Sequence, residues 1–278
     1  MKKSILIPTD FSENSKSALS YALKLYANET CTFYFLNSYA FSSSRSPSLM
    51  SSNFIGTFRD NSKRDLTKLK AKMDEENTNT NHTFGMISSS DELPHAIEAS
   101  IKQHDIDLVV MGTKGAIGVD AFFFGSYTVK TIKHIKSCPV LVVLNKQDFK
   151  TPKKIAFPTD FNRPYDAKTL KTLQDFASLY DAHINVLHIN VEEDLSEKQN
   201  KNISILKEYL KDTEHSFHWM PAYHKKSDVI NDFIEDLDID ILAMFNYKHS
   251  IIENITKEPI IKNIGYHPTI PFLIIPSK

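Results

Sequence analysis

The feature that most constrains the fold of this chain is an internal repeat. The segment ILIPTDF at residues 5–11 returns as IAFPTDF at residues 155–161, an offset of 150. Two later blocks recur in the same order: DIDLVVM at 105–111 as DIDILAM at 238–244, and CPVLVV at 138–143 as IPFLII at 270–275. Repeated blocks in a kept order indicate a duplication, so both halves are predicted to adopt one fold.

The boundary between the copies is a polar run. Residues 145–152 separate the last apolar block of the first copy from the first block of the second. A chain of 278 residues suits two domains of ordinary size. We therefore predict one domain at residues 1–146 and another at 152–278.

Each copy alternates short apolar blocks with amphipathic segments. The blocks are rich in Val, Ile and Leu, as parallel strands covered on both faces are. In the first copy the predicted strands lie near 3–8, 31–38, 82–87, 107–111 and 139–144. Helical stripes separate them, for example Leu19, Leu23 and Tyr26. This alternation predicts an α/β fold with two tandem doubly wound five-stranded parallel sheets.

The loops after strands one and four are the expected ligand sites, because ligands of doubly wound sheets bind beyond the carboxyl ends of the strands. The second of these loops contains four of the seven glycines in the chain, at positions 112, 115, 118 and 125. Glycines let a backbone approach an anion closely, and a helix predicted at 127–135 follows directly. A strand, a glycine loop and a helix start predict a phosphate site.

These motifs resemble the universal stress protein family. The spacing Gly-x2-Gly-x9-Gly-Ser, from Gly112 to Ser126, is similar to the ATP-binding pattern of that family. The opening ILIPTDFS and the ending SCPVLVV are similar to it as well, and the resemblance covers the whole first copy. It implies the strand order 3-2-1-4-5 of the adenine nucleotide alpha-hydrolase-like fold, with ATP, alone or with Mg²⁺, as the ligand.

The resemblance also implies roles for individual residues. On the nucleoside side they are Pro8, Thr9, Asp10, Ser38, Met111 and Gly112; around the phosphates they are Gly115, Gly125, Ser126, Tyr127 and Thr128. Lys114 could add a positive charge to the phosphates or stay a solvated loop charge. Asp10 could contact the ligand, cap the first helix, or do both.

The second copy retains the strand pattern and loses the glycines. After Met244 it reads FNYKHS, with no glycine where the first copy has 112, 115 or 125. Side chains at these positions would crowd a phosphate, so this copy is predicted to be degenerate. For Asp160 the favoured interpretation is a helix cap.

Other functional classes have little support. A formal net charge of −1 gives no global attraction to nucleic acid or to an anionic membrane. Apolar runs are too short for a membrane span, and the expected location is the cytoplasm. The two cysteines are too sparse for a disulfide framework. His215 and His218 should point to opposite faces of a strand, which disfavours a zinc site.

Two features concern regions beside the site. Residues 40–62 are serine-rich and are expected to form a long loop, either disordered or acting as a lid. The fifth strands, around Leu141 and Leu273, are too apolar to remain exposed edges. Members of the family with one domain commonly dimerise through this strand. The resemblance therefore implies that the two copies pair within one chain, with a homodimer as a further option.

The resulting hypothesis is an ATP-binding universal stress protein of the stress response that acts by nucleotide-dependent association or signalling. A slow ATPase and an interaction scaffold that binds no nucleotide are the alternatives. Whether the protein is an enzyme stays open, because the sequence offers no convincing general base.

Overall fold

The computed structural model describes residues 2–40, 52–113, 126–144, 149–190, 194–247 and 270–277. These residues form two compact units, the first ending at residue 144 and the second beginning at residue 149. In the described residues no helix is both long and apolar enough to cross a membrane.

The first unit alternates strands and helices as the sequence predicts. Its elements are β1 (Lys3–Pro8), α1 (Glu13–Leu25), β2 (Cys31–Ser38), α2 (Ser52–Glu76), β3 (His82–Ser89), α3 (Leu93–His104), β4 (Leu108–Gly112), α4 (Ser126–His134) and β5 (Val140–Val143). All strands are parallel, in the order β3-β2-β1-β4-β5. This order confirms the predicted topology and brings the carboxyl ends of β1 and β4 side by side.

The central strand β1 is buried on both faces. Successive residues of a strand point to opposite faces, and Leu6 and Ile7 are 0% and 1% exposed. Helix α1 covers part of one face with Ala18, Leu19 and Ala22, all of them buried. The sheet core therefore fixes where each strand ends, and with it the position of the loops.

The second unit has the same topology. Its elements are β6 (Lys154–Pro158), α5 (Ala167–Ala177), β7 (His183–Asn190), α6 (Glu197–Leu210), β8 (His215–Pro221), α7 (Lys226–Asp236), β9 (Ile241–Asn246) and β10 (Phe272–Pro276). The parallel order β8-β7-β6-β9-β10 repeats that of the first unit. How the two copies pair stays a prediction from the sequence.

The repeated Asp-Ile-Asp motif has a structural explanation. Its first aspartate follows α3 or α7 in a left-handed conformation, with φ of 47° at Asp105 and 50° at Asp238. The carboxylate of Asp107 accepts a hydrogen bond from the backbone N–H of Ser4 at 2.8 Å, and that of Asp240 accepts one from Lys154 at 2.9 Å. In both copies the motif ends a helix and ties the fourth strand to the first.

The prediction of a loop over residues 40–62 is wrong for its second half, because α2 already begins at Ser52. Ser62 is only 4% exposed, and its hydroxyl lies 2.8 Å from that of Ser88 in β3. Tertiary contact with the sheet thus outweighs the weak helix propensity of a serine-rich segment. Residues 41–51, which carry the rest of this prediction, lie outside the described residues.

Candidate functional site

A cleft of about 370 Å³ lies at the carboxyl edge of the first sheet. Its size is within the range of small-molecule sites. The elements around it are the ends of β1, β2 and β4 and the starts of α1, α3 and α4. Its lining residues are Pro8, Thr9, Asp10, Ser12, Asn14, Ser15, Asn37, Ser38, Ala40, Glu92, Leu93, Pro94, Met111, Gly112, Ser126, Tyr127, Thr128 and Lys130.

The turn after β1 is held by its own side chains. The Thr9 hydroxyl accepts a hydrogen bond from the N–H of Phe11 at 3.0 Å, and Phe11 has a left-handed φ of 63°. Asp10 accepts hydrogen bonds from both the N–H and the hydroxyl of Ser12. Partial burial would raise the pKa of Asp10, but these hydrogen bonds outweigh it and hold the pKa below its ordinary value. Asp10 is therefore an anion at neutral pH.

Of the alternatives for Asp10, the structure excludes the helix cap, and the cap favoured for Asp160 is wrong. The N-cap of α1 is Ser12, which accepts a hydrogen bond from the N–H of Ser15. The N-cap of α5 is Asp166. Asp160 accepts a hydrogen bond from the N–H of Asn162 instead, so both aspartates stabilise the turn that precedes the helix.

Close packing at the mouth of the cleft leaves no room for a side chain at position 112, so a glycine is required there. A Cβ atom at this position would lie 2.2 Å from the carbonyl oxygen of Asn14, in the first turn of α1. A side chain at Gly112 would therefore force the start of α1 to move. Since Asn14 and Ser15 line the cleft, the glycine also fixes one of its walls.

Two predicted residues of the α4 side are open to solvent. Ser126 is exposed, and the Tyr127 side chain is 54% exposed. The ammonium group of Lys130 lies 5.7 Å from the centre of the Tyr127 ring. Thr128 is buried instead, and its hydroxyl lies 3.4 Å from the Gly112 carbonyl oxygen. Thr128 thus ties α4 to β4, whereas Ser126, Tyr127 and Lys130 face the opening.

The opposite side of the cleft has polar and apolar parts. The Ser38 hydroxyl donates to the carbonyl of Asp91 at 2.6 Å. Leu93 and Pro94 line this side and the buried Met111 also lines the cleft, so apolar surface is available beside the polar groups. Pro8 is also buried, at the end of β1.

Sequence reasoning missed Asn37, Glu92 and Lys130. The amide of Asn37 donates to the Thr9 carbonyl at 2.8 Å, and His188 makes the equivalent contact to Thr159 at 3.0 Å. In both copies this contact joins the end of the second strand to the turn after the first. The sequence carries a signal for it, because both copies have a polar residue at this position of the second strand. Glu92 and Lys130 gave no signal, because neither belongs to a motif or a repeated block: Glu92 is the N-cap of α3, and Lys130 lies in the middle of α4.

Several predicted site residues lie outside the described residues. They are Lys114, Gly115 and Gly125, together with Gly118 and the phenylalanines at 122–124. Their assignment to the phosphates stays a prediction.

The equivalent cleft of the second unit is closed by aromatic side chains. Only about 30 Å³ remains among residues that include Tyr165, Phe245 and Tyr247. Tyr165 stands where the first copy has Ser15, and its hydroxyl lies 2.8 Å from that of Thr159, as Ser15 lies 3.0 Å from Thr9. Phe245 stands where the first copy has Gly112, and its ring centre is 4.6 Å from that of Phe157.

In the second unit, where the cleft is filled, the helix after the first strand also begins later in the sequence. With the offset of 150, Glu13 corresponds to position 163, yet α5 begins at Ala167. A phenylalanine at the Gly112 position is tolerated because no helical turn begins at the equivalent of Asn14. Three differences of the second unit therefore depend on one another. They are the phenylalanine at the Gly112 position, the later start of the helix, and the tyrosine side chain that fills the cleft.

His215 and His218 point to opposite faces of β8, as predicted. His215 packs against Phe217, whereas the His218 ring nitrogen lies 2.7 Å from the Ser216 hydroxyl. Burial, and secondarily repulsion from His183, lowers the pKa of His218. This favours a neutral, structural imidazole.

Comparisons with known proteins agree with this architecture. The sequence model of the universal stress protein family matches residues 1–143. A universal stress protein from Archaeoglobus fulgidus superposes with a TM-score of 0.69 at 16% identity, covering 98% of this chain and 97% of that chain. A putative universal stress protein from Pseudomonas aeruginosa gives 0.56 at 15% identity, covering 98% and 92%. A search of curated proteins gave no match.

Fold and cleft define a doubly wound α/β protein with a ligand-sized opening at the carboxyl edge of one sheet. The family match spans more than half of the 278 residues, and the chain belongs to the universal stress protein family. The structural likenesses, at these identities, support the tandem fold alone.

Proposed function

We propose that the first unit binds one ATP molecule in its cleft and that the protein acts in the stress response through nucleotide-dependent association or signalling. The nucleoside would lie towards β2 and β3, and the phosphates would lie at the start of α4. The second unit would serve as a structural partner that binds no nucleotide.

The observation that carries this proposal is the charge polarity of the cleft. Among the described lining residues, the carboxylates belong to Asp10 and Glu92, on the side of β1 to β3. Lys130, in the second turn of α4, lines the other side, where Ser126 and Tyr127 place the amino end of the helix, and the amino end of a helix favours anions. A nucleoside triphosphate has the matching polarity, since its base and sugar offer donors and its phosphates carry the negative charge.

The cleft favours binding over hydrolysis. Phosphate hydrolysis needs a group that positions or activates the attacking water near the terminal phosphate. Among the described lining residues, both carboxylates lie on the nucleoside side, and the lowered pKa of Asp10 makes it a weak base. A slow ATPase is therefore the less supported alternative.

The polarity can be tested by replacing Lys130 with glutamine. Because an exposed charge pair contributes modestly, Lys130→Gln should weaken ATP binding by about threefold to tenfold. It should leave adenosine binding unchanged. Lys133→Gln removes another exposed charge from the same helix, at a residue that does not line the cleft, and is the matched control. Equilibrium titrations with both ligands measure the two affinities.

Two results would argue against this site. If wild-type protein binds neither ATP nor adenosine, the nucleotide proposal is wrong and a scaffold is favoured. If Lys130→Gln weakens ATP and adenosine equally, the phosphates do not lie at the start of α4.

A further inference from the structure

We infer that the carboxylate of Glu92 selects the base, by accepting a hydrogen bond from its exocyclic amino group. This inference rests on the proposed nucleotide site and adds a specificity residue to it. The expected ligand class is an amino-bearing base such as adenine. Keto bases that place an oxygen at the same position should be disfavoured.

Glu92 is placed for this role by the start of α3. It is the N-cap residue of the helix, yet its side chain makes no capping hydrogen bond. Pro94, at the second helical position, lacks the N–H that an N-cap side chain often binds. The helix start therefore leaves the carboxylate available, and Glu92 is an exposed residue that lines the cleft.

Two nearby polar side chains are already committed to the fold. The Ser38 hydroxyl donates its proton to the Asp91 carbonyl, and the Asn37 amide donates to the Thr9 carbonyl. Of the two carboxylates among the described lining residues, Asp10 already accepts hydrogen bonds from Ser12, which leaves Glu92 as the charged acceptor without such a bond in its own turn. Leu93, Pro94 and Met111 supply the apolar surface on which a flat base can pack.

The chemistry of a carboxylate determines which bases it accepts. An ionised carboxylate only accepts hydrogen bonds, so it pairs with an amino group and repels a keto oxygen. ATP and ITP differ at this point of the purine, where the amino group of adenine is replaced by an oxygen. A site that relies on this contact should discriminate between them by about tenfold or more.

The test is the ratio of ATP to ITP affinity, measured by calorimetry on the full chain. Wild-type protein should prefer ATP by about tenfold or more. Glu92→Gln should bring the ratio close to one, because an amide can donate to the oxygen of ITP as well as accept from the amino group of ATP. Asp91→Asn removes the same charge one residue away, outside the lining residues, and should keep the wild-type ratio.

The results that would overturn the role of Glu92 differ from those that would overturn the nucleotide site itself. Wild-type protein that binds ATP and ITP equally, or a Glu92→Gln variant that keeps the wild-type preference, would overturn the role of Glu92 and leave the nucleotide site standing. An equal loss of preference in Asp91→Asn would assign the effect to charge and overturn the direct contact. Binding of neither nucleotide would remove the proposed function and this role together.

Discussion

Replacement of Ser15 by tyrosine should abolish ATP binding by the first unit, at a cost in stability, because Ser15 lies within α1 whereas Tyr165 precedes α5. Ser15 is 7% exposed and lines the cleft, and its counterpart Tyr165 fills the equivalent space of the second unit. The hydroxyl groups of both residues reach the equivalent threonine. A tyrosine ring that occupies the cleft nearly all the time must be displaced by ATP, so affinity should fall by about a hundredfold or more.

Two control variants distinguish blocking of the cleft by the tyrosine ring from other effects of the substitution. Ser15→Ala removes the hydroxyl and leaves the cleft open, so it should retain most of the ATP affinity. Ser20→Tyr adds the same ring at an exposed position of α1 and should bind as the wild type does. Titration of all three variants, with circular dichroism to verify folding, gives the comparison. A folded Ser15→Tyr variant with wild-type affinity would mean that ATP does not use this cleft.

Gly112→Ala should destabilise the first unit and weaken ATP binding together. The new Cβ would lie 2.2 Å from a backbone carbonyl oxygen of α1, an overlap that only movement of the helix start can relieve. Overpacking of this kind costs about 1–3 kcal/mol, and we expect the upper part of that range because the contact is with backbone. The displaced turn carries Asn14 and Ser15, so affinity should fall as well.

Gly56→Ala is the matched control for this variant. A Cβ at Gly56 meets no atom within 4 Å, and the residue lies inside α2. Alanine there should be neutral or stabilise by up to about 1 kcal/mol. Chemical denaturation of the two variants measures the difference. A Gly112→Ala protein as stable as the wild type would show that α1 does not pack closely against β4.

Much of the fold follows from local sequence patterns. The strands of the first copy lie within one or two residues of their predicted positions, and the clearest of them, such as β1 and β5, are short apolar blocks between polar turns. The start of α2 was missed because its serines and Gly56 are weak helix formers, and burial of Ser62 against β3 stabilises it from a distance. Local propensity does not report such contacts.

The candidate site was predictable only in part. The Thr-Asp-Phe motif marks the turn correctly, but both copies form that turn, with φ of 63° at Phe11 and 57° at Phe161. The motif therefore does not distinguish an open cleft from a closed one. The distinction depends on Ser15 and Gly112 against Tyr165 and Phe245, pairs that are far apart in sequence and meet only in the folded units.

The most direct test of the nucleotide proposal is a calorimetric titration of ATP into the full chain, with binding stoichiometry as the readout. An open cleft in the first unit and an aromatic-filled one in the second predict one ATP per chain, with that single site lost in Ser15→Tyr. Two equivalent sites per chain, or no binding at physiological ATP concentrations, would contradict it.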